Sequence, residues 1–129
     1  MNAKVLLQLA SQARNHAYAP YSKFQVGAAL LATNGEVFTG CNVENASYGL
    51  ANCAERTAVF KAVSEGIRTF SAIAISVPGG GSPCGACRQV LNEFNPKLTI
   101  YLGDEHGTLI RETLLNELLP DAFGPENLG

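Results

Sequence analysis

Apolar and polar residues alternate along the first third of the chain in two different ways. Apolar residues recur at helical spacing over residues 5–13, which predicts a helix that ends before Pro20. Two apolar runs follow, over residues 26–33 and 36–43, and they flank Asn34-Gly35. Asn-Gly between two such runs is typical of a tight β-hairpin. The chain therefore opens with a helix and an antiparallel hairpin.

The remaining two thirds alternate between helical and strand patterns. The predicted elements are a helix over residues 53–64, a buried strand over 70–77, a helix over 84–94, a strand over 98–102, a turn over 104–107 and a short helix over 112–118. Strand–helix–strand units favour parallel pairing, whereas the hairpin is antiparallel. We therefore expect an α/β fold with a mixed sheet covered by helices on both faces, in a single domain over residues 1–129.

Composition and charge narrow the possible partners. The chain has 129 residues, of which 47% are hydrophobic and 16% charged, enough for one domain with a substantial core. The net charge is -2 and the nine basic residues are scattered singly, whereas nucleic-acid binders usually gather them on one face. No apolar stretch is long enough to span a bilayer, and no cleavage signal is apparent at the N-terminus. We therefore expect a cytoplasmic protein with no nucleic-acid or membrane partner.

Three of the four cysteines, Cys53, Cys84 and Cys87, lie where a loop is predicted to become a helix. The start of a helix favours the thiolate form of cysteine, and the thiolate is the form that binds zinc. The CxxC spacing of Cys84 and Cys87 also brings two sulfurs close enough to hold one ion. Three thiolates leave one tetrahedral position open, which distinguishes a catalytic zinc from a structural one.

Two charged residues follow the first of these cysteines. A zinc ion with three thiolates carries a net charge of -1, so a cation is needed beside it. Arg56 lies three residues after Cys53, on the same helix surface, and we predict that it donates to a ligand sulfur. Glu55 lies two residues after Cys53, and this offset leaves open whether its carboxylate reaches the metal. The carboxylate could reach the metal if Glu55 lies in the first turn of the helix.

Five ordered blocks of residues give the chain a resemblance to a known family. The blocks are YSKFQVGAA (21–29), GCNVENASY (40–48), CAER (53–56), PCGACRQ (83–89) and LLPDAF (118–123). They resemble the small homotetrameric cytidine deaminases within the zinc-dependent deaminase superfamily. The resemblance implies a three-layer α/β/α fold with a mixed five-stranded sheet. It also implies hydrolytic deamination of cytidine and deoxycytidine in pyrimidine salvage.

The resemblance implies roles for four residues at the metal. Cys53, Cys84 and Cys87 would hold one Zn²⁺ per subunit, and zinc-bound hydroxide would attack C4 of the pyrimidine. Glu55 would shuttle protons during this attack, and substitution of Glu55 by Gln would nearly abolish turnover.

Substrate contacts are implied by the same blocks. Asn42 and Glu44 would form hydrogen bonds with the ribose hydroxyls of a pyrimidine nucleoside. Phe24 would pack against the nucleoside, and the backbone of Ala54 would help to fix the ring. Neighbouring subunits of the homotetramer would share pockets, through the positions that match Tyr48 and Phe123.

Other interpretations remain open from the residues alone. Cys41 could join the other cysteines in a structural zinc site, or it could be a small core residue. Asn42 and Glu44 could be turn residues that end a strand, and Phe24 and Phe123 could be core aromatics. The alternative functions are deamination of a related nucleoside of the blasticidin type, editing of a polynucleotide, and zinc binding without catalysis.

Overall fold

A computed structural model describes residues 1–129. Its strands are β1 (Gly27–Ala32), β2 (Val37–Cys41), β3 (Phe70–Ser76), β4 (Thr99–Gly103) and β5 (Leu109–Leu114). Its α-helices are α1 (Ala3–Ala13), α2 (Ala54–Ser64), α3 (Gly85–Phe94) and α4 (Leu115–Leu118). Short 3-10 helices occur at Arg14–His16, Tyr48–Leu50 and Pro125–Leu128. None of the helices combines the length and apolar character needed to cross a membrane.

The five strands form one sheet in the order β2-β1-β3-β4-β5. β3 and β4 run parallel because α3 crosses between them, and every other neighbouring pair is antiparallel. The predicted hairpin joins β1 and β2, with Gly35 at a φ of 93° in its turn. The expectation of a mixed sheet is therefore confirmed.

Two apolar clusters pack the helices against opposite faces of this sheet. One face carries Ala29, Ala72 and Ala74, which pack against the buried residues of α1. The other face is covered by α2 and α3, and its cluster includes Leu30 and Ile75. Strand residues alternate between faces, so neighbours along β1 and β3 contribute to different clusters. The result is the three-layer α/β/α arrangement with five strands that the family resemblance implied.

The C-terminal part corrects one prediction. The apolar pattern predicts four strands and a helix over residues 112–118, but residues Leu109–Leu114 form the edge strand β5. Only Thr113 in this strand is buried, so the alternation that marks a half-buried strand is absent. The strand is held instead by its antiparallel pairing with β4. The helical part is confined to Leu115–Leu118.

Candidate metal centre and substrate cavity

Two helix starts meet at one point beside the sheet. Cys53 and Cys84 are the N-cap residues of α2 and α3, and both have extended backbone conformations. Cys87 lies in the first turn of α3 and is fully buried. The Sγ atoms of Cys53 and Cys84 are 3.9 Å apart, and the three sulfurs all lie within 4.8 Å of one another. The starts of two helices that are distant in sequence thus bring three sulfurs into one cluster.

Close packing against β2 sets the position of α2. A Cβ atom on Gly40 would lie 2.4 Å from the carbonyl oxygen of Ala54 and 2.6 Å from the backbone nitrogen of Ala58. Only glycine allows the backbone of the first turns of α2 to approach the strand this closely. Gly40 therefore fixes the distance from the sheet to the helix that begins after Cys53.

The loop before α3 is tied down by one arginine. Arg88 donates from Nε to the Pro83 carbonyl at 2.7 Å and from Nη1 to the Leu118 carbonyl at 2.7 Å. Its Nη2 donates to the Ser82 hydroxyl at 2.9 Å. These bonds hold the segment that leads into Cys84 against the C-terminal part of the chain. Arg88 was part of the PCGACRQ block, but the sequence pattern gave it no role.

Hydrogen bonds and charge favour a thiolate at Cys53. A hydrogen bond from Cys87, assisted by one from Arg56, lowers the pKa of the Cys53 thiol to about 5. The same shared hydrogen bond, together with burial, raises the pKa of the Cys87 thiol. Arg56 Nη2 lies 3.2 Å from the Cys53 Sγ, and the contact with this sulfur raises the pKa of the guanidinium further. Arg56 is therefore a permanent cation in contact with one sulfur of the cluster.

The cluster fits a tetrahedral zinc ion. Sulfur ligands about 2.3 Å from a tetrahedral Zn²⁺ lie about 3.8 Å apart, close to the separation of the Cys53 and Cys84 sulfurs. Thiolate sulfur is a preferred zinc ligand, and the Arg56 cation offsets the charge of three thiolates. The Nε of Arg56 is a further buried donor with no hydrogen-bond partner in the chain. Three protein ligands leave the fourth coordination position for water or substrate.

Glu55 is buried beside this cluster. Its side chain is only 5% exposed, which is unusual for a glutamate that forms no ion pair. Burial, with a contribution from the negative charge of Cys53, raises the pKa of Glu55 to about 7. A carboxyl group with a pKa near neutrality can both accept and release a proton at physiological pH. The sequence offset left the reach of Glu55 open, and the structure places it at the cluster because Cys53 is the N-cap.

A cavity of about 420 Å³ opens in front of the sulfurs, a size typical of small-molecule sites. Its lining combines residues of the cluster with residues of the loops around β1 and β2: Ser22, Phe24, Val26, Asn42, Glu44, Cys53, Ala54, Glu55, Val77, Ser82 and Cys84. The cavity therefore brings together both cysteine N-caps, the buried glutamate and four residues for which the family resemblance implied substrate contact. Ser22, Val26, Val77 and Ser82 line it without having been singled out from the sequence.

Asn42 and Glu44, two polar residues that line the cavity, are held by different hydrogen bonds. Asn42 donates from Nδ2 to the Phe24 carbonyl at 2.7 Å and accepts from the Val26 backbone at 2.8 Å. One donor hydrogen and one lone pair of this amide remain for a ligand. Glu44 accepts hydrogen bonds from the backbone and hydroxyl of Ser22, and these bonds lower the pKa of its carboxyl group. Contact of either residue with a sugar stays a prediction.

Tyr48 and Phe123 are not part of this cavity within one chain. Tyr48 is 77% exposed and lines an adjoining cavity of about 310 Å³, which shares Ser22 and Glu44 with the first. Phe123 is 59% exposed, and its carbonyl accepts a hydrogen bond from Gln89. The alternative that Phe123 is a core aromatic is therefore wrong, and the predicted role of both residues in a shared pocket stays a prediction.

Cys41 lies apart from the metal cluster. It ends β2, pairs with Gly27 of β1, and is absent from the group of cysteines whose sulfurs converge. Burial raises the pKa of its thiol, as expected for a cysteine in apolar surroundings. A four-cysteine structural zinc site is therefore excluded by the geometry.

Comparison with protein families gives a match over most of the chain. Residues 1–103 match the family model for the cytidine and deoxycytidylate deaminase zinc-binding region. A cytidine deaminase of Sporosarcina psychrophila is 52% identical over 131 aligned residues, which cover 99% of this chain and 96% of that protein. A cytidine deaminase of Halalkalibacterium halodurans is 54% identical over 135 residues, covering 99% and 98%.

Comparison with solved structures gives the same result. The crystal structure of a cytidine deaminase from Burkholderia pseudomallei matches with a TM-score of 0.91 and 53% sequence identity. The match covers 95% of this chain and all of that one. A cytidine deaminase from Mycobacterium tuberculosis matches with a TM-score of 0.84 and 44% identity. The family model over residues 1–103, the structural match over 95% of the chain and the three-cysteine cluster thus indicate the same family.

Proposed function

Because the chain belongs to the cytidine and deoxycytidylate deaminase zinc-binding family, we propose that it catalyses the hydrolytic deamination of cytidine and deoxycytidine. The products are uridine or deoxyuridine and ammonia. One observation carries this proposal: a single cavity is lined by two cysteines of the three-cysteine cluster, by the buried Glu55 and by Glu44. The reacting ring of a nucleoside would lie against the sulfurs and Glu55, the metal end of the cavity, and its sugar would lie against Asn42 and Glu44, the sugar end.

The three cysteines would provide the site for a metal-activated nucleophile. Cys53, Cys84 and Cys87 would hold Zn²⁺, which lowers the pKa of a bound water and so provides a nucleophile at neutral pH. Arg56 donates to the Cys53 sulfur and withdraws negative charge from that ligand. This withdrawal is needed because three thiolates donate more electron density to a metal than neutral ligands do.

Glu55 moves the protons. It accepts a proton from the attacking water and delivers it to ring N3, which makes C4 more electrophilic. It then transfers the second proton of that water to the amino group, so that the C4–N bond breaks and ammonia leaves. Burial raises the pKa of Glu55 to about 7, so its carboxyl group can both accept and release a proton near neutral pH.

The sugar end selects a free nucleoside. Glu44 would accept a hydrogen bond from a sugar hydroxyl, Asn42 would offer its remaining donor, and Phe24 would pack against the nucleoside. A carboxylate at this position repels a phosphodiester, which carries a negative charge where a nucleoside carries a hydroxyl. This charge favours the nucleoside over the polynucleotide-editing alternative.

We also propose that the protein is a homotetramer with pockets shared between subunits. The support is the exposure of Tyr48 and Phe123, large aromatic side chains that a partner subunit would cover. A reducing cytoplasm is the compartment that keeps the three cluster thiols available for zinc. Light scattering on the purified protein tests the assembly: a mass of four chains supports it, and a fully active monomer contradicts the shared pocket.

The experiment that tests the activity presents purified, zinc-loaded protein with several substrates in parallel. These are cytidine, deoxycytidine, free cytosine, blasticidin S and a single-stranded DNA oligonucleotide. We expect rapid deamination of the two nucleosides and little reaction with the others, because only the nucleosides engage both ends of the cavity. Preferential reaction of blasticidin S would favour deamination of a related nucleoside, and preferential reaction of the oligonucleotide would favour polynucleotide editing. No reaction with fully bound zinc would favour a binding role.

A further inference from the structure

Ser22 joins two groups of the substrate cavity through one hydroxyl. It lies in the loop before β1 and lines both the substrate cavity and the adjoining one. Its hydroxyl donates to the Glu44 carboxylate, and the same oxygen accepts the backbone N–H of Phe24 at 3.0 Å. Lys23 between them has a φ of 61°, the left-handed turn that brings Ser22 and Phe24 together.

The two oxygens of Glu44 are held differently. Oε1 accepts two backbone N–H groups, from Tyr21 at 3.0 Å and from Ser22 at 3.1 Å. Oε2 accepts only the hydroxyl of Ser22. A carboxylate oxygen has two acceptor sites, so Oε2 keeps one site that faces neither the backbone nor Ser22. Removing the hydroxyl would leave Oε2 without a protein partner, while Oε1 would keep both of its own.

The Phe24 N–H group sets the direction of the hydroxyl. Because the Ser22 oxygen already accepts this N–H, its own hydrogen is directed to the carboxylate rather than to the backbone. Phe24 is exposed, so water can replace the serine oxygen as acceptor for its N–H. The Glu44 carboxylate is therefore the partner that depends on this hydroxyl.

We propose that Ser22 is a positioning residue for sugar recognition, acting through Glu44. Its hydroxyl fixes the rotation of the Glu44 carboxyl group, so that the free acceptor site of Oε2 is aimed at a sugar hydroxyl before substrate arrives. This preorganisation lowers the cost of ordering the carboxylate on binding. The inference rests on the proposed function, because it assigns Glu44 to the sugar of a nucleoside.

The test compares Ser22→Ala with the wild-type enzyme on two substrates, cytidine and 2′,3′-dideoxycytidine. For cytidine we expect KM to rise about fivefold to tenfold, as for partial loss of one charge-assisted hydrogen bond, with kcat unchanged within about twofold. Dideoxycytidine keeps the 5′-hydroxyl but lacks the 2′- and 3′-hydroxyls of the sugar ring, to which the proposal assigns Glu44. For this substrate we expect kcat/KM of the variant to stay within about twofold of the wild-type value. Ser22→Thr keeps the hydroxyl and should restore most of the cytidine affinity.

A double-mutant cycle separates this role from a general loss of structure. In a Glu44→Gln background, adding Ser22→Ala should change the KM for cytidine by less than about twofold, because the group on which Ser22 acts is already altered. Ser71→Ala, an exposed serine of β3 outside the cavity, is the matched control and should match the wild type. An equal loss on cytidine and dideoxycytidine, or additive effects in the cycle, would overturn the proposal. Failure of the wild type to deaminate cytidine would instead overturn the proposed function.

Discussion

The two ends of the substrate cavity are built on different principles. At the metal end, Glu55 and Cys87 are buried, and the sulfurs and the carboxyl group belong to the first turns of two packed helices. At the sugar end, Phe24 and Ser22 are exposed in the single chain, and Glu44 is held by hydrogen bonds from a loop. Desolvation therefore dominates the chemistry of the first end, and directed hydrogen bonds dominate the second.

This difference predicts a separation of kinetic effects. At the metal end, burial and neighbouring charges shift the pKa values of the groups that would take part in the reaction. Loss of these groups should therefore lower kcat. At the sugar end, hydrogen bonds lower the pKa of Glu44 and hold its carboxylate as a fixed acceptor, so loss of groups at this end should raise KM. The following variants test that division in decreasing order of effect.

Substitution at Cys84 should have the largest effect. Cys84→Ala removes one of three sulfurs, so we expect loss of bound zinc and a fall of deaminase activity to background. Cys41→Ala is the matched control, since Cys41 is not a member of the cluster, and it should retain one zinc per chain. Zinc content by elemental analysis and the deamination rate are measured on the same samples. Retention of tight zinc and activity in Cys84→Ala would disprove the three-cysteine site.

Substitution at Glu55 should stop the chemistry without emptying the site. Glu55→Gln preserves size but cannot exchange protons, so kcat should fall by roughly 10² to 10⁴. Zinc content should remain at the wild-type level, because Glu55 is not one of the residues whose side-chain atoms converge as possible metal ligands. Steady-state kinetics and metal analysis check this expectation. Near-normal kcat would show that another group moves the protons.

Substitution at Glu44 should affect binding rather than chemistry. Glu44→Gln replaces a charged acceptor by an amide, and loss of a charge-assisted hydrogen bond corresponds to a rise of about 10- to 100-fold in KM for cytidine. The kcat value should change little because Glu44 is assigned to the sugar and not to the reacting ring. A fall of kcat as large as that in Glu55→Gln would remove the distinction between the two ends.

The buried carboxyl group of Glu55 should also make the unfolding free energy of the metal-free protein depend on pH. Folding raises the pKa of Glu55 from 4.5 to about 7, so the folded state holds a proton that the unfolded state has released between these values. Stability falls with rising pH wherever the native state binds more protons. The unfolding free energy of wild type minus that of Glu55→Gln should therefore decrease from pH 4.5 to 7 and level off above. Urea titrations at several pH values measure it, and a difference that increases with pH would contradict the assigned shift.

The metal end could be predicted from the sequence because its signals are local. Cys53 and Cys84 each occur where a loop gives way to a helical pattern, and helix starts favour thiolates regardless of what surrounds them. The position of Glu55 needed one further fact. Its offset from Cys53 indicates contact only if Cys53 is the N-cap, a boundary that pattern analysis fixes to within a few residues.

The sugar end and the sheet edge could not be predicted in the same detail. Ser22 and Glu44 are 22 residues apart, and nothing in either local pattern indicates that their side chains form a hydrogen bond. β5 was missed for a related reason, since its residues are mostly exposed and its stability comes from backbone pairing with β4. Side-chain hydrogen bonds between loops and pairing of an exposed edge strand both depend on tertiary proximity, which periodicity does not carry.

We propose that cytidine deamination depends on one zinc ion that Cys53, Cys84 and Cys87 hold together. The most direct test removes the metal with a chelator, then measures the rate of uridine formation as zinc is added back in known amounts. We expect no activity in the metal-free protein and a linear rise that ends at one zinc per chain, with the original rate restored. Full activity without zinc, or zinc binding at this stoichiometry without recovery of activity, would contradict this proposal.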